Sequence, residues 1–301
     1  MKILITGATG LIGSYLLPKL IAHGHSVVII SRFERVEQSE SIEKFTWQQM
    51  EERPEIVLNE VEVIIHLAGA SIAKGRWTKS QKNLIINSRI QTAQALFDAC
   101  ASANVELKLF ISASAVGFYP YAENKLFNET DNCGTGFLSN VCQLWEATTS
   151  NFSNNSARTL IMRLGSVLAP NGGMLSPLVK LTKIGMGVHI GKGSQFLPWV
   201  SVHDVVGFIL FSLNNHLING IYNIVAPEIV TNKNFMEFLR MALKKKSFFP
   251  PIPSLFLKLF LGQKSELVLK GNKVSSQKLL KSGYQFYSPE LEKAFSTMKL
   301  L

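Results

Sequence analysis

The 301-residue sequence predicts an α/β fold built on a doubly wound parallel sheet. Three observations carry that prediction. The chain opens MKILITGATGLIGS, a strand-length apolar run followed by Gly7, Gly10 and Gly13 and then by a helical pattern. Further apolar runs of strand length alternate with segments of helical periodicity through much of the chain, as parallel β-α units require. Some of those runs end in small residues, such as Ala68-Gly69-Ala70, and suit a sheet edge where a flat ligand passes closely.

Lys2–Thr6 alternates too little for an exposed strand and reads as a buried one. Ala8, Leu11, Ile12, Leu16, Leu17 and Leu20 then recur at helical spacing as far as His23, with Gly24 as the stop. The spacing TGxxGxxG is a variant of the dinucleotide-binding fingerprint, placed between strand and helix as that function needs. Gly7 allows the sharp turn, Gly10 the close approach of backbone amides to a pyrophosphate, and Gly13 the packing of helix on strand. The helix N-terminus adds unsatisfied donors and partial positive charge. Thr9, Leu11 and Ile12 belong to the same loop and join the cofactor-binding candidates.

A second buried strand, Ser26–Ile30, ends in Ser31 and Arg32. An acidic residue at that tip would accept hydrogen bonds from a ribose 2′-hydroxyl, whereas a basic one suits a 2′-phosphate. Arg32, with Ser31 and Arg35, therefore argues for NADP(H), with NAD(H) as the second candidate. A short strand is expected at Lys44–Trp47 and a longer one at Val61–Leu67, which adds Leu67, Ala68 and Gly69 to the cofactor edge. Thr78–Ala103 is a long helix whose Leu84, Ile85, Ala93, Leu96, Phe97 and Ala99 face the sheet. The strand Leu107–Ser112 puts Ser112 at the same edge.

Helices are expected at Thr135–Asn151 and Gly172–Ile184, with a strand at Thr159–Arg163 between them. Phe196–Val200 and Gly220–Val225 read as strands around a helix starting near His203. Thr231–Lys245 is helical with Thr231 as N-cap. Pro250, Pro251 and Pro253 break the chain before a short apolar helix, Ser254–Leu261, and a lysine-rich tail of helix and loop.

Composition bounds the function. Hydrophobic content of 47% and charged content of 17% suit a soluble globular protein. No apolar run approaches ~18 residues, so no transmembrane helix or membrane partner is expected. A cleaved signal peptide would remove the phosphate loop, which points to a cytoplasmic protein. The three cysteines lack metal-like spacing and read as reduced thiols, with no metal site. The net charge of +10 comes from scattered Lys and Arg, apart from Lys244–Lys246 and the tail. No DNA or RNA recognition motif accompanies it, so a small-molecule substrate is expected rather than nucleic acid.

TGATGLIG, the basic strand tip, HLAG at His66–Gly69 and SASAVGFY at Ser112–Tyr119 together resemble the extended short-chain dehydrogenase/reductases. More narrowly, the chain is similar to their atypical epimerase-family branch, NAD-dependent epimerase/dehydratase-like proteins with a small C-terminal domain of unknown function. Ser88-Arg89, RLGSVL at Arg163–Leu168, Asn171-Gly172-Gly173, PWVSVHD at Pro198–Asp204 and YNIVAP at Tyr222–Pro227 extend the match over essentially the whole chain. Its most specific parts are Arg76-Trp77 and Cys142-x-x-Trp145-Glu146. The resemblance implies a Rossmann-type domain over residues 1–230, with substrate-binding insertions from its second half. A mostly helical substrate or lid module would fill residues 231–301.

The resemblance also implies redox chemistry on sugar nucleotides or other alcohols and ketones. There a Ser or Thr binds the substrate oxygen, a Tyr moves the proton, and a Lys four residues on lowers the tyrosine pKa. Ser114 matches the serine. Cys142 stands in the tyrosine place and Glu146 in the lysine place, which inverts the charge logic, because a carboxylate disfavours a thiolate. Ser88 stands where the family has asparagine. The catalytic candidates are Ser114, Cys142 and Tyr119, the last because strand ends feed the cleft. Tyr121, His203 and Asp204 follow, with Asp204 reading better as a helix cap. Arg76, Trp77 and Glu146 are substrate-binding candidates, with Lys74 and Arg89 behind them; Arg89 could equally pair with a carboxylate on its own helix. The expected function is an NADP(H)-dependent oxidoreductase or epimerase-like enzyme without the YxxxK pair. The alternative is a non-catalytic NADP(H)-binding regulator or sensor. Substrate identity, reaction direction and the choice between monomer and homodimer stay open.

Overall fold

The structure, a computed structural model, describes residues 1–32, 41–154 and 156–300; Arg35, expected at the ribose end, lies outside them. Seven strands form the main sheet: β1 Lys2–Thr6, β2 Ser26–Ser31, β3 Ile42–Thr46, β4 Val61–His66, β5 Leu109–Ala115, β6 Thr159–Leu164 and β7 Gly220–Ile224. Their spatial order is β3-β2-β1-β4-β5-β6-β7. Every pairing is parallel. This is the Rossmann-like α/β order, and its reversal between β1 and β4 opens a crevice at the carboxyl ends of the strands.

Period-two alternation divides each strand between two cores. Ile3, Ile5, Val27, Val63, Ile65 and Ile111 point to one face, where Leu16 and Leu20 of α1 (Gly13–Ala22) and Val205, Phe208 and Ile209 lie. Leu4, Val28, Ile64 and Phe110 point to the other, against Leu96, Ala99 and Cys100 of α2 (Lys79–Ser102). Leu84 does not share in that contact. It sits at 53% exposure, because the sheet-facing stripe of α2 in that turn is carried by Ile85 alone.

The next helix, α3 (Phe137–Ser150), follows β5 and carries the Cys142–Glu146 segment. The expected helix from Gly172 begins later, as α4 (Leu175–Lys183). Gly172–Gly173 instead pairs antiparallel with the Ser166–Ala169 strand, an arrangement that uses a positive φ of 60° at Gly173. Trp199–Ser201 forms a short strand and runs into α5 (Val202–Asn214). A third core gathers Leu168, Leu175 and Trp199 with Phe235, Met236 and Leu239 of α6 (Asn232–Ala242) and Phe295 of a C-terminal helix. Thr231 caps α6 through Oγ1, which accepts from Asn234 N at 3.2 Å. A short helix, α7 (Ser254–Leu261), follows the prolines.

Asp204 is not the cap of α5. Ser201 fills that role, its Oγ accepting from His203 N at 3.2 Å. Fully buried, Asp204 accepts from Tyr287 N at 2.6 Å and Ser288 N at 3.2 Å and so ties the C-terminal tail to α5. Burial pushes its carboxyl up to about 6 from 3.8. The native state therefore holds this proton more tightly than the unfolded chain, and the neutral form is fully favoured below about pH 4. The Asp204 contribution to stability should fall by about 3 kcal/mol as pH rises from 4 to 7. Urea unfolding of Asp204→Asn against wild type should show their stability difference shifting towards the variant over that window.

Candidate functional site

The crevice begins at the loop between β1 and α1. Gly7 holds a φ of +75°, and a Cβ there would lie 2.8 Å from the Leu67 carbonyl carbon at the end of β4. At Gly13 a Cβ would lie 2.4 Å from the Gly7 carbonyl oxygen, so no larger residue fits between helix and loop. Helix α1 has no side-chain cap and no acidic residue in its first turn. Among the described residues, no protein acceptor is found for the Leu11 and Ile12 amides. Such a nest of free donors with a bare helix terminus fits a diphosphate. The Leu11 side chain itself packs against the Gly172–Gly173 hairpin. Ser31 is half-buried and Arg32 exposed at the tip of β2.

A second cluster lies at the ends of β5, β6 and β7. Ser114 Oγ donates to Glu146 Oε1 at 2.6 Å. Behind the carboxylate, Arg163 grips it with two parallel bonds, Nε to Oε1 at 2.9 Å and Nη2 to Oε2 at 2.8 Å. The pair is desolvated, with side-chain exposures of 2% for Arg163 and 9% for Glu146. Arg163 Nη1 also donates to the Tyr119 hydroxyl at 2.9 Å, and that hydroxyl donates to Asn223 Oδ1 at 2.7 Å. The Phe118 ring covers the guanidinium at 3.6 Å. The lysine place of the short-chain pattern thus holds a carboxylate whose charge is met by an arginine one strand over.

Cys142, one turn before Glu146 on α3, is buried, and burial together with the Glu146 charge pushes its thiol up to about 12. It is a proton holder rather than a thiolate. Tyr119 is likewise buried, and burial raises its hydroxyl to about 12. Both hydrogen-bonding directions of that hydroxyl are spent inside the protein, so Tyr119 sits behind Ser114 as part of the scaffold. Ser112 is fully buried and accepts from Thr149 Oγ1 at 3.1 Å. Tyr121 is exposed and bonds Glu123, and His203 packs edge-on against Tyr15 of α1. Neither belongs to the Ser114 cluster.

Along the β4 end, the Ala70 amide donates to Ser88 Oγ at 2.9 Å, so Ser88 fixes the loop that follows Ala68 and Gly69. Arg89 takes no carboxylate of its own helix. It donates to the carbonyls of Ala70 at 3.1 Å and Ile85 at 2.9 Å and lies over the Trp145 ring at 4.9 Å. Its guanidinium abuts Gly69, where a Cβ would come within 3.0 Å. Arg76 is exposed, Lys74 likewise, and Trp77 donates to Ile72 O and meets Phe137 edge-on at 5.0 Å. His66, fully buried, shares a 2.7 Å hydrogen bond with Thr6, and burial lowers its pKa to about 4, so it stays neutral.

The family model for the NAD dependent epimerase/dehydratase family matches residues 3–225, and one for a domain of unknown function, DUF1731, matches residues 252–298. The chain belongs to the NAD-dependent epimerase/dehydratase family. An epimerase family protein of Staphylococcus saprophyticus is 34% identical over 98% of both chains. The Bacillus subtilis epimerase family protein YfhF is 34% identical over 99% of this chain and 98% of its own. A crystal structure of the human epimerase family protein SDR39U1 with NADPH superposes with a TM-score of 0.91, at 29% identity and 99% coverage of each chain. In this member of an NAD(P)-binding epimerase family, β5 and α3 bring Ser114, Cys142 and Glu146 together beside the sheet edge.

Arg163, Asn223 and His66 were not legible as site residues, although each left a trace. Arg163 and Asn223 are polar residues inside the otherwise apolar runs TLIMRL and GIYNI, a pattern that needs an internal partner. Nothing local names that partner, which comes from another element. Breaking the buried pair by Glu146→Ala should cost about 3–5 kcal/mol, because it leaves Arg163 charged and alone. Urea denaturation should give that loss. The same experiment on Glu123→Ala, at the surface, should give a change within about 0.5 kcal/mol.

Proposed function

We propose that the protein is an NADP(H)-dependent oxidoreductase or epimerase-like enzyme acting on a carbonyl or hydroxyl substrate, a sugar nucleotide being one candidate class. The observation that carries the reading is the 2.6 Å bond from Ser114 Oγ to Glu146 Oε1, backed by Arg163. Ser114 has one hydrogen, and it is committed to a carboxylate. The serine therefore offers lone pairs to a ligand and holds a substrate hydroxyl as acceptor.

The phosphate loop, with Gly7, Thr9, Gly10, Leu11, Ile12 and Gly13, would hold the cofactor diphosphate. Ser31 and Arg32 would meet the 2′-phosphate, and Leu67, Ala68 and Gly69 would form the edge along which the cofactor lies, with the fully buried Ser112 behind it. NADP(H) is favoured by Arg32 and by the NADPH-bound human relative, with NAD(H) as the other candidate. When bound, the cofactor supplies or accepts a hydride. On oxidation of an alcohol, the substrate hydroxyl proton passes to Ser114 Oγ while the serine proton passes to Glu146 Oε1; reduction returns both. The Cys142 thiol, held protonated, donates a hydrogen bond to the substrate oxygen. Arg163, Tyr119 and Asn223 are positioning residues that fix the Glu146 carboxylate. Arg76 and Trp77 would border the substrate.

Replacement of the Tyr and Lys places by Cys142 and Glu146 favours a second reading, a non-catalytic NADP(H) sensor. Ser114→Ala separates the two. In an enzyme it should lower turnover about a hundredfold or more while leaving cofactor affinity within about threefold, as for loss of a proton-transfer group. Wild-type protein that binds NADPH but turns over no member of a broad alcohol, carbonyl and sugar-nucleotide panel would decide for the sensor. Calorimetric titration should also show Arg32→Asp losing its preference for NADPH over NADH. An unchanged preference would remove Arg32 from the 2′-phosphate site.

A further inference from the structure

Helix α7 is amphipathic the wrong way round for a core element. Leu257 and Leu261 are half-buried towards the protein, while Leu255, Phe256, Leu259 and Phe260 form the opposite stripe at 68%, 55%, 74% and 57% exposure. None of its residues is buried. The preceding segment adds Phe248 at 82% and Phe249 at 54% exposure. Phe248 lies against Gly185, where a Cβ would come within 2.7 Å of the ring, and so places the patch beside the end of α4. The α7 segment is a built part of the fold. Ile252 pairs with Ile190, and Lys264, just past the helix, donates to the carbonyls of Ala73 and Gly75. Large apolar side chains exposed together on one helix face mark an interaction site.

The charge around the patch selects the partner. Residues 244–270 hold six lysines against a single glutamate, and that glutamate pairs with Lys270. Lys244, Lys245 and Lys246 share one cavity wall with Phe249, Arg240 and a single carboxylate, Glu237, and no ion pair is found for them among the described residues. Lys258 flanks the apolar stripe on α7 itself. A two-fold dimer through this face would bring two copies of the lysine run into one interface with little acidic charge to offset them. An apolar stripe with flanking lysines matches an interface of acyl chains below anionic headgroups.

We propose that α7 and the Phe248–Phe249 segment form a peripheral docking surface for an anionic lipid bilayer. Lys244, Lys245, Lys246 and Lys258 meet the headgroups, and the Leu and Phe side chains enter the acyl boundary. No helix among the described residues is long and apolar enough to cross a membrane, so the attachment is interfacial and reversible.

The test is sedimentation of the full chain with phosphatidylglycerol-rich vesicles and with pure phosphatidylcholine vesicles at low and high salt. Binding to the anionic vesicles alone, weakened by salt, is the expected result. Leu255→Ser with Leu259→Ser, and separately Lys245→Glu with Lys246→Glu, should each lower partitioning roughly tenfold or more at unchanged melting temperature. Lys244 is left intact because its φ is +51°. Absence of binding to anionic vesicles at low salt would overturn the proposal, as would binding indifferent to both variant pairs. A concentration-dependent dimer abolished by the apolar pair, with no vesicle binding, would assign the face to a second copy instead.

Discussion

The buried ion pair between Glu146 and Arg163 is the constraint on which the rest of the cluster at the ends of β5, β6 and β7 depends. Two charges at 2.8 Å with almost no solvent contact are tolerated only if every remaining hydrogen-bonding direction is met. Ser114 takes one of them, and Tyr119 and the Glu129 carbonyl take the far side of the guanidinium. The partners come from four stretches of chain: β5, the segment between β5 and α3, α3 and β6. The pair thereby sets the spacing between the helix and the sheet at the point where the crevice opens.

The same pair explains how this chain departs from the short-chain pattern without losing charge balance. A lysine at the Glu146 position would supply a cation near the serine strand. Here the cation has moved to β6 and an anion stands in its place, so the hydrogen bonding of Ser114 is reversed. Cys142, beside that anion and buried, is held as a thiol.

The C-terminal region is coupled to this edge through hydrogen bonds. Asn223, which receives the Tyr119 hydroxyl, donates from Nδ2 to the Ser275 carbonyl at 3.3 Å. Residues Leu126–Phe127 pair in parallel with Lys273–Val274, and Asp204 holds the tail from the other side. The exposed face of α7 belongs to the same region.

The sequence by itself determined the parallel α/β frame and the strand, glycine turn and helix that open it, because both are written in local pattern, although it placed a strand at Phe196–Val200 where a short one at Trp199–Ser201 forms outside the main sheet. Apolar runs, period-two alternation and glycine spacing are properties of contiguous residues, and the Gly7 and Gly13 contacts follow from positions six apart. It also located Ser114, Cys142 and Glu146 on the strand and helix that carry them. Only the tertiary structure decided what those residues touch. Arg163 meets Glu146 across two elements, Tyr119 turns inward to Asn223, and Asp204 leaves its cap position for the tail, each because a buried polar group must find its partner wherever folding brings one. Leu84 and the outward face of α7 show the converse. Helical periodicity marks an apolar stripe but not what covers it, and that is settled by neighbours far away in the chain.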